Sequence, residues 1–308
     1  MDRASVSPGA VDAPTEAINP RTRALDTLDP RGIVDVILAE DALVVPAVRA
    51  VAGEIARLAD VVADRLERGG RLVYVGAGTS GRLGALDAAE CPPTFGTDPA
   101  QVVGIVAGGV RAMTASLEGA EDDRDQGARD VAELSVGADD VVVGLAASGR
   151  TPYVMGAVDE ARRRGAFVAA VTCAPGSPIS RAVDLAVVPV VGPEVIAGST
   201  RMKSGTAQKL VLNALSTTVM VRLGKTFGNL MVDVQAGNDK LRRRAVAIVA
   251  AATGLDLAAA ERCLADADGD VKVAIVAALA RLDVNTARRR LAENDGRVRE
   301  ALRERTDG

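Results

Sequence analysis

The chain has no histidine among its 308 residues. That absence removes the usual general base and the commonest transition-metal ligand, and a Ser-His-Asp triad is excluded. Proton transfer, if this chain is an enzyme, falls first to carboxylates, then to lysine, cysteine or the two tyrosines. Glu90 directly precedes Cys91-Pro92-Pro93, in what reads as the last turn of a helix. A helix C-terminus disfavours negative charge, so a carboxyl there keeps its proton more readily, as a general acid must. The same position equally fits an ordinary surface glutamate. Glu121 lies in Glu118-Gly119-Ala120-Glu121-Asp122-Asp123, an acidic run that also reads as a solvated helix face or a first turn. Glu194, in Gly192-Pro193-Glu194, suits a substrate-hydroxyl contact or a structural ion pair, and stays outside the catalytic pair.

Two glycine-rich turns could hold an anion. The first is Val75-Gly76-Ala77-Gly78-Thr79-Ser80-Gly81-Arg82. Backbone N–H groups in such a turn, feeding a helix N-terminus, form an anion cradle. Its Gly76, Gly78 and Gly81 also match the dinucleotide fingerprint. That reading expects a carboxylate after the second strand, where the chain has Ala107-Gly108-Gly109 instead. The second turn is Ala147-Ser148-Gly149-Arg150-Thr151-Pro152. Thr151 suits an N-cap and Pro152 the first helical position; Ser148-Gly149 exceeds what capping alone requires. A third turn, Gly198-Ser199-Thr200-Arg201-Met202-Lys203, reads equally as an N-cap or as further donors. The three nominate Gly78, Thr79, Ser80, Gly81 and Arg82, then Ser148, Gly149 and Thr151, then Ser199 and Lys203, as substrate contacts. No residue is nominated for a metal.

These groups need a scaffold. Val-rich runs at Arg71–Val75, Gln101–Ala107, Asp140–Ala146, Phe167–Cys173 and Asp184–Val191 read as buried strands. Helical patterns separate them at Ser80–Glu90, Arg111–Leu134, Pro152–Arg164 and near Ser177–Ala182, and a longer one covers Thr200–Leu223. Strand–helix alternation predicts an α/β fold, a parallel sheet between two helical layers. Both main turns then sit at carboxyl ends of strands, where open α/β sheets bind ligands. Residues 1–30 read as an N-terminal arm and residues 31–242 as the sheet domain with its N-terminal helices. Residues 243–308 read as a small all-helical domain, broken at Gly254, Gly269 and Asp283.

Composition narrows the function classes. Hydrophobic residues are 48% and aromatics 2%, so the core is Ala, Val and Leu. A net charge of −4 argues against nucleic-acid binding. No apolar run reaches membrane-spanning length. Met1–Ile18 lacks the apolar stretch of a secretory signal. Cys91, Cys173 and Cys263 are odd in number and far apart, against a disulfide framework or a thiolate metal site. The expectation is a cytoplasmic protein without membrane or nucleic-acid partners.

The two phosphate-type turns together resemble the sugar isomerase (SIS) domain, a flavodoxin-like phosphosugar-binding fold. Longer strings are more specific. Leu83-Gly84-Ala85-Leu86-Asp87-Ala88-Ala89-Glu90-Cys91-Pro92-Pro93-Thr94, Glu118 to Asp122, Gly198 to Lys209 and Phe227-Gly228-Asn229-Leu230-Met231-Val232-Asp233-Val234 resemble the N-acetylmuramic acid 6-phosphate etherases. So does the opening Thr15-Glu16…Asn19-Pro20. The C-terminal helices are similar to ubiquitin-associated-type domains. The resemblance implies cleavage of the D-lactyl ether to N-acetylglucosamine 6-phosphate and D-lactate, in peptidoglycan recycling. It implies no cofactor or metal, a phosphosugar substrate and a homodimer. It maps the proton donor onto Glu90 and a second catalytic glutamate onto Glu121, with the division of labour left open. An aldose–ketose isomerase and a non-catalytic phosphosugar sensor, similar to the glucokinase regulatory protein, share the fold and remain alternatives.

Overall fold

In the computed structural model of the chain, residues 14–234 and 239–303 are described. The first thirteen residues of the expected arm, and 304–308, lie outside them. From Thr15 to Thr27 the arm runs through two 3-10 turns, Pro20–Thr22 and Leu25–Thr27, and buries Thr15, Asn19 and Thr22. Three helices follow: α1 (Pro30–Asp41), α2 (Val44–Ala50) and α3 (Ala52–Glu67). The apolar stripe of α3 (Ile55, Leu58, Val62, Leu66) is buried, as its spacing requires.

The five Val-rich runs form β1 (Leu72–Gly76), β2 (Val102–Val106), β3 (Val141–Leu145), β4 (Phe167–Val171) and β5 (Leu185–Val187). All pair in parallel, in the order β2-β1-β3-β4-β5. Interleaved are α4 (Gly78–Phe95), α5 (Arg124–Glu133), α6 (Pro152–Arg163), α7 (Pro178–Ala182) and, after the last strand, α8 (Lys203–Arg222). Alternate strand residues serve opposite faces. Val73, Val75, Val142, Val168 and Ala170 share a core with Tyr153, Val154 and Val158 of α6. Tyr74 and Leu145 turn the other way, onto α4.

Glycines let α4 approach the sheet very closely. A Cβ on Gly81 would lie 2.5 Å from the Gly76 carbonyl oxygen. One on Gly84 would lie 2.8 Å from Leu145 Cδ1 and 2.9 Å from Tyr74 Cβ, and one on Gly104 of β2 would lie 2.5 Å from the Ala85 Cα. The seam between β1, β2 and α4 therefore has no room for side chains at these positions.

Three expected elements differ. The helix through Glu90 does not stop at Pro92-Pro93; it runs on to Phe95, so Glu90 is not in its last turn. Prolines remove donors without forbidding helical φ, and near a helix end that loss is tolerated. The single helix expected over Arg111–Leu134 is instead a 3-10 turn (Gly109–Met113), a loop through residues 114–123, and α5, which Asp123 caps by accepting from Gln126 N at 2.8 Å. The last strand ends at Val187 rather than Val191.

The chain divides into two compact units. One takes residues up to Ala89 and Ala100–Ser216, the other Glu90–Pro99 and the chain from Thr217 on. The composition break at 242–243 lies within the second. Among its described residues that unit holds an antiparallel hairpin, β6 (Thr226–Phe227) and β7 (Leu230–Met231), followed by a run of helices. These are α9 (Asp239–Thr253), α10 (Leu257–Asp266), α11 (Val271–Ala280), α12 (Val284–Glu293) and α13 (Val298–Ala301). Asp256, Asp270 and Asp283 cap α10, α11 and α12 in turn. Ala245, Val249, Ala260, Ala274, Ile275 and Ala287 form their common core. Among the described residues no helix is long and apolar enough to cross a membrane.

Candidate active site

The sheet order reverses between β1 and β3, because β1 has β2 on one side and β3 on the other. Ligands bind at that switch point in this class of sheet. The turns leaving β1 and β3 are the two glycine-rich ones, so both stand at the same crevice.

A cleft of about 420 Å³ opens beside the first turn. Gly78, Thr79 and Arg82 line one side; Ser116, Glu118 and Glu121, from the loop after β2, line the other. Gly78 has φ +52 and opens α4; the first amides of a helix lack intrahelical acceptors and suit an anion. Arg82 fixes the opposite wall. Its Nε donates to the Ala112 carbonyl at 2.8 Å and its Nη2 to that of Ala115 at 3.0 Å.

Glu121 sits in the turn that replaces the expected helix. Its carbonyl accepts from Tyr153 N, in the first turn of α6, at 3.0 Å. That bond ties the Glu121 turn to the helix launched by the second glycine-rich turn. Thr151 occupies the α6 N-cap position, as its sequence predicts, but its hydroxyl makes no capping bond, and Pro152 opens the helix. Gly149 has φ +67, and a Cβ there would collide with Ser177 Oγ; only glycine fits. Ser148 Oγ accepts from Arg150 N at 3.4 Å. Ser80 donates to Gln208 Oε1 of α8 at 2.8 Å. Gly205 of α8 would place a Cβ 3.4 Å from the Thr79 methyl, so the start of α8 adjoins the first turn. Ser199 lies in the bend before it, its amide on the Ile196 carbonyl at 2.9 Å.

Lys203 corrects the sequence reading. Expected on the substrate, it is wholly buried. Its ammonium donates to Glu40 Oε2 at 2.7 Å and to the Val191 carbonyl at 2.9 Å. A desolvated ammonium needs such partners, and its partner Glu40 is too remote in sequence to suggest itself. Glu194 is also structural: its carboxylate accepts from Lys203 N and Ser204 N, both at 2.9 Å, and so caps α8. Glu90 belongs to the second compact unit and is exposed on α4.

Sequence reasoning passed over Asp87. It lies on the inner face of α4, accepting from Tyr74 Oη at 2.9 Å and Ser216 Oγ at 3.0 Å. Burial pushes its carboxyl up to about 6, against those hydrogen bonds and the nearby Lys209 charge. Only the alternation of β1, which turns Tyr74 toward α4, could have signalled it.

The chain is 56% identical to an N-acetylmuramic acid 6-phosphate etherase of Streptomyces avermitilis, over 84% of this chain and 83% of that one. It is 53% identical to that of Aeromonas hydrophila, over 84% and 87%, and 55% identical to that of Yersinia pestis, over 84% and 88%. The chain belongs to the N-acetylmuramic acid 6-phosphate etherase family. The glucokinase regulatory protein N-terminal SIS domain matches residues 54–162, and the SIS domain residues 125–218. Every lining residue of the etherase-family cleft falls within the first of these matches. Among solved structures, a Bacteroides fragilis protein assigned as a phosphosugar isomerase involved in capsule formation aligns at TM-score 0.51 and 18% identity, over 68% of this chain and 99% of that one. That likeness concerns the fold.

Proposed function

We infer that this chain is a carbon–oxygen lyase. It cleaves the D-lactyl ether of N-acetylmuramic acid 6-phosphate with water, giving N-acetylglucosamine 6-phosphate and D-lactate. The observation that carries this is 53–56% identity, across 84% of the chain, to relatives of that one named activity.

The chemistry suits a chain without histidine. An alkyl ether has a poor leaving group and no carbonyl to attack. In the open-chain sugar, C2–H is acidic because it adjoins the C1 aldehyde. A base removes that proton, lactate leaves C3 with help from an acid, and water then adds at C3. In this reading Glu121, on the cleft wall, is the base and Glu90 the acid. The α4 N-terminus with Thr79 and Ser80, and the second turn with Ser148 and Thr151, anchor the phosphate; Arg82 holds the cleft wall. Elimination of this kind calls on no cofactor. A phosphorylated sugar is confined by its charge to the compartment where it forms, which supports the cytoplasm and a place in peptidoglycan amino-sugar recycling. The chain acts as a homodimer in this reading. Val34 and Leu38, one turn apart on α1, are 49% and 60% exposed, and Val45 of α2 is 62% exposed; large apolar side chains left open to solvent suit a subunit contact. Sedimentation of the purified chain as a monomer would end that part.

The decisive assay is D-lactate release from N-acetylmuramic acid 6-phosphate in H₂¹⁸O, with the sugar product analysed by mass spectrometry. Lactate with ¹⁸O at C3, at the same rate with EDTA present, is expected. Ketose formation without lactate would select the isomerase alternative, and binding without turnover the sensor. A Ser80→Ala, Ser148→Ala double variant should weaken binding of the 6-phosphate product by about 1–3 kcal/mol and of unphosphorylated N-acetylglucosamine hardly at all. Equal losses on both sugars would show that these turns do not hold phosphate.

A further inference from the structure

Lys272 occupies an unfavourable place. It is the second residue of α11, where the helix dipole repels a cation, and it is 9% exposed among Val271, Val273 and Ile275. What offsets this is Asp233, whose Oδ2 lies 2.6 Å from Lys272 Nζ in an ionic contact rather than an aligned hydrogen bond. The same oxygen lies 3.2 Å from Lys225 Nζ. One carboxylate, just beyond the β6–β7 hairpin, thus joins the helical bundle to the segment that follows α8.

The backbone of Asp233 meets a second partner. Gly96 ends α4 with φ +62, and its N–H donates to the Pro92 carbonyl at 2.9 Å. A Cβ on Gly96 would collide with the Asp233 carbonyl oxygen. The end of α4 therefore rests directly on the residue that the two lysines hold. That end needs outside support. Pro92 and Pro93 supply no N–H, so two carbonyls one turn earlier lack their helical donors just where Glu90 sits. Glu90–Pro99 accordingly belongs to the compact unit of the C-terminal helices.

We propose that Lys272 and Asp233 are positioning residues, through which the C-terminal helical bundle braces the end of α4 and fixes Glu90 for the reaction. This rests on Glu90 acting in catalysis. It gives the bundle a role in turnover, and it gives the Phe227–Val234 string a reason to be where it is.

The test uses the full chain with Lys272→Met, which removes the charge and keeps the apolar stem. Expected is a fall in kcat for lactate release of roughly 10–100-fold, the scale of a small misplacement of a reacting group. KM, and the Kd for N-acetylglucosamine 6-phosphate, should stay within about twofold. Hydrogen exchange should quicken in the peptide spanning Glu90 to Gly96, and Lys272→Arg should restore most of kcat. A merely structural lysine would lower Tm while leaving kcat of the folded protein intact; that result overturns the proposal. Where Lys272→Met does not fold, Asp233→Asn is read by the same measurements, and wild-type kcat there overturns it equally. Glu90→Gln is assayed alongside. If that variant turns over normally, the reading of Glu90 has failed. If it is inactive while Lys272→Met is fully active, only the brace has failed.

Discussion

Glu121→Gln is expected to lower kcat for lactate release by about 10²–10⁴-fold, the usual contribution of a positioned proton-transfer group. Binding of N-acetylglucosamine 6-phosphate should survive, because the turn carrying Glu121 is held by its backbone carbonyl on Tyr153 N rather than by its carboxylate. The variant also separates two roles. If Glu121 removes the C2 proton, Glu121→Gln in D₂O should stop washout of C2–H. Glu90→Gln should permit that washout yet block departure of lactate. Washout lost in the Glu90 variant and kept in the Glu121 variant would reverse the assignment. Near-normal turnover in either variant removes that residue from the mechanism.

The second large effect concerns stability. Glu40 is buried at the end of α1, where it accepts from Arg21 Nη2 at 2.9 Å, Lys203 Nζ at 2.7 Å and Asn19 Nδ2 at 2.9 Å. The Arg21 guanidinium first, then Lys203 and Asn19, hold its carboxyl down to about 2 against the opposing effect of burial. Glu40→Gln leaves the Lys203 ammonium desolvated without a countercharge. The cost of breaking such a pair from one side is about 3–5 kcal/mol, to be read from urea unfolding at pH 7. The folded carboxyl titrates below its ordinary value of 4.5. Its stabilisation is therefore complete above about pH 4.5 and is lost as pH falls toward 2. The wild type should weaken through that window and the variant should do so less steeply. Loss of less than about 1 kcal/mol at pH 7, with the same acid profile as the wild type, would mean that the network does not clamp the arm to α8.

The sheet was legible because its signals are local. Val-rich runs such as Val141–Leu145, separated by turn glycines, specify buried parallel strands wherever they occur. The two glycine-rich turns, as turns at the carboxyl ends of β1 and β3, were legible for the same reason. What stayed hidden depends on partners far off in the chain. Lys203 looks like a donor beside Ser199 until Glu40, 163 positions earlier, is placed against it. The Glu121 turn looks helical until Gly119, at φ +73, and the Asp123 cap break it. Pro92-Pro93 looks like a stop, although α4 passes through it. Each miss moves a charged group. One removes a lysine from the site, another gives Glu121 a cleft wall, and the third takes Glu90 away from a helix end, so the end-of-helix argument for its proton does not apply.

The glycine seam between β1, β2 and α4 has a consequence for descent and for engineering. With no spare volume at Gly76, Gly81, Gly84 or Gly104, almost any single codon change there disturbs the packing of α4 and its opening turn against the sheet. If that turn holds the phosphate, as proposed above, a lineage on this scaffold can hardly drift in its grip by small steps. The loop through residues 114–123, with most of its side chains exposed, is not packed in this way; Gly119, at φ +73, and the Asp123 cap fix its shape. New chemistry on this frame should therefore arise there, and a library that diversifies that loop while leaving the seam alone would sample the substitutions the scaffold can tolerate.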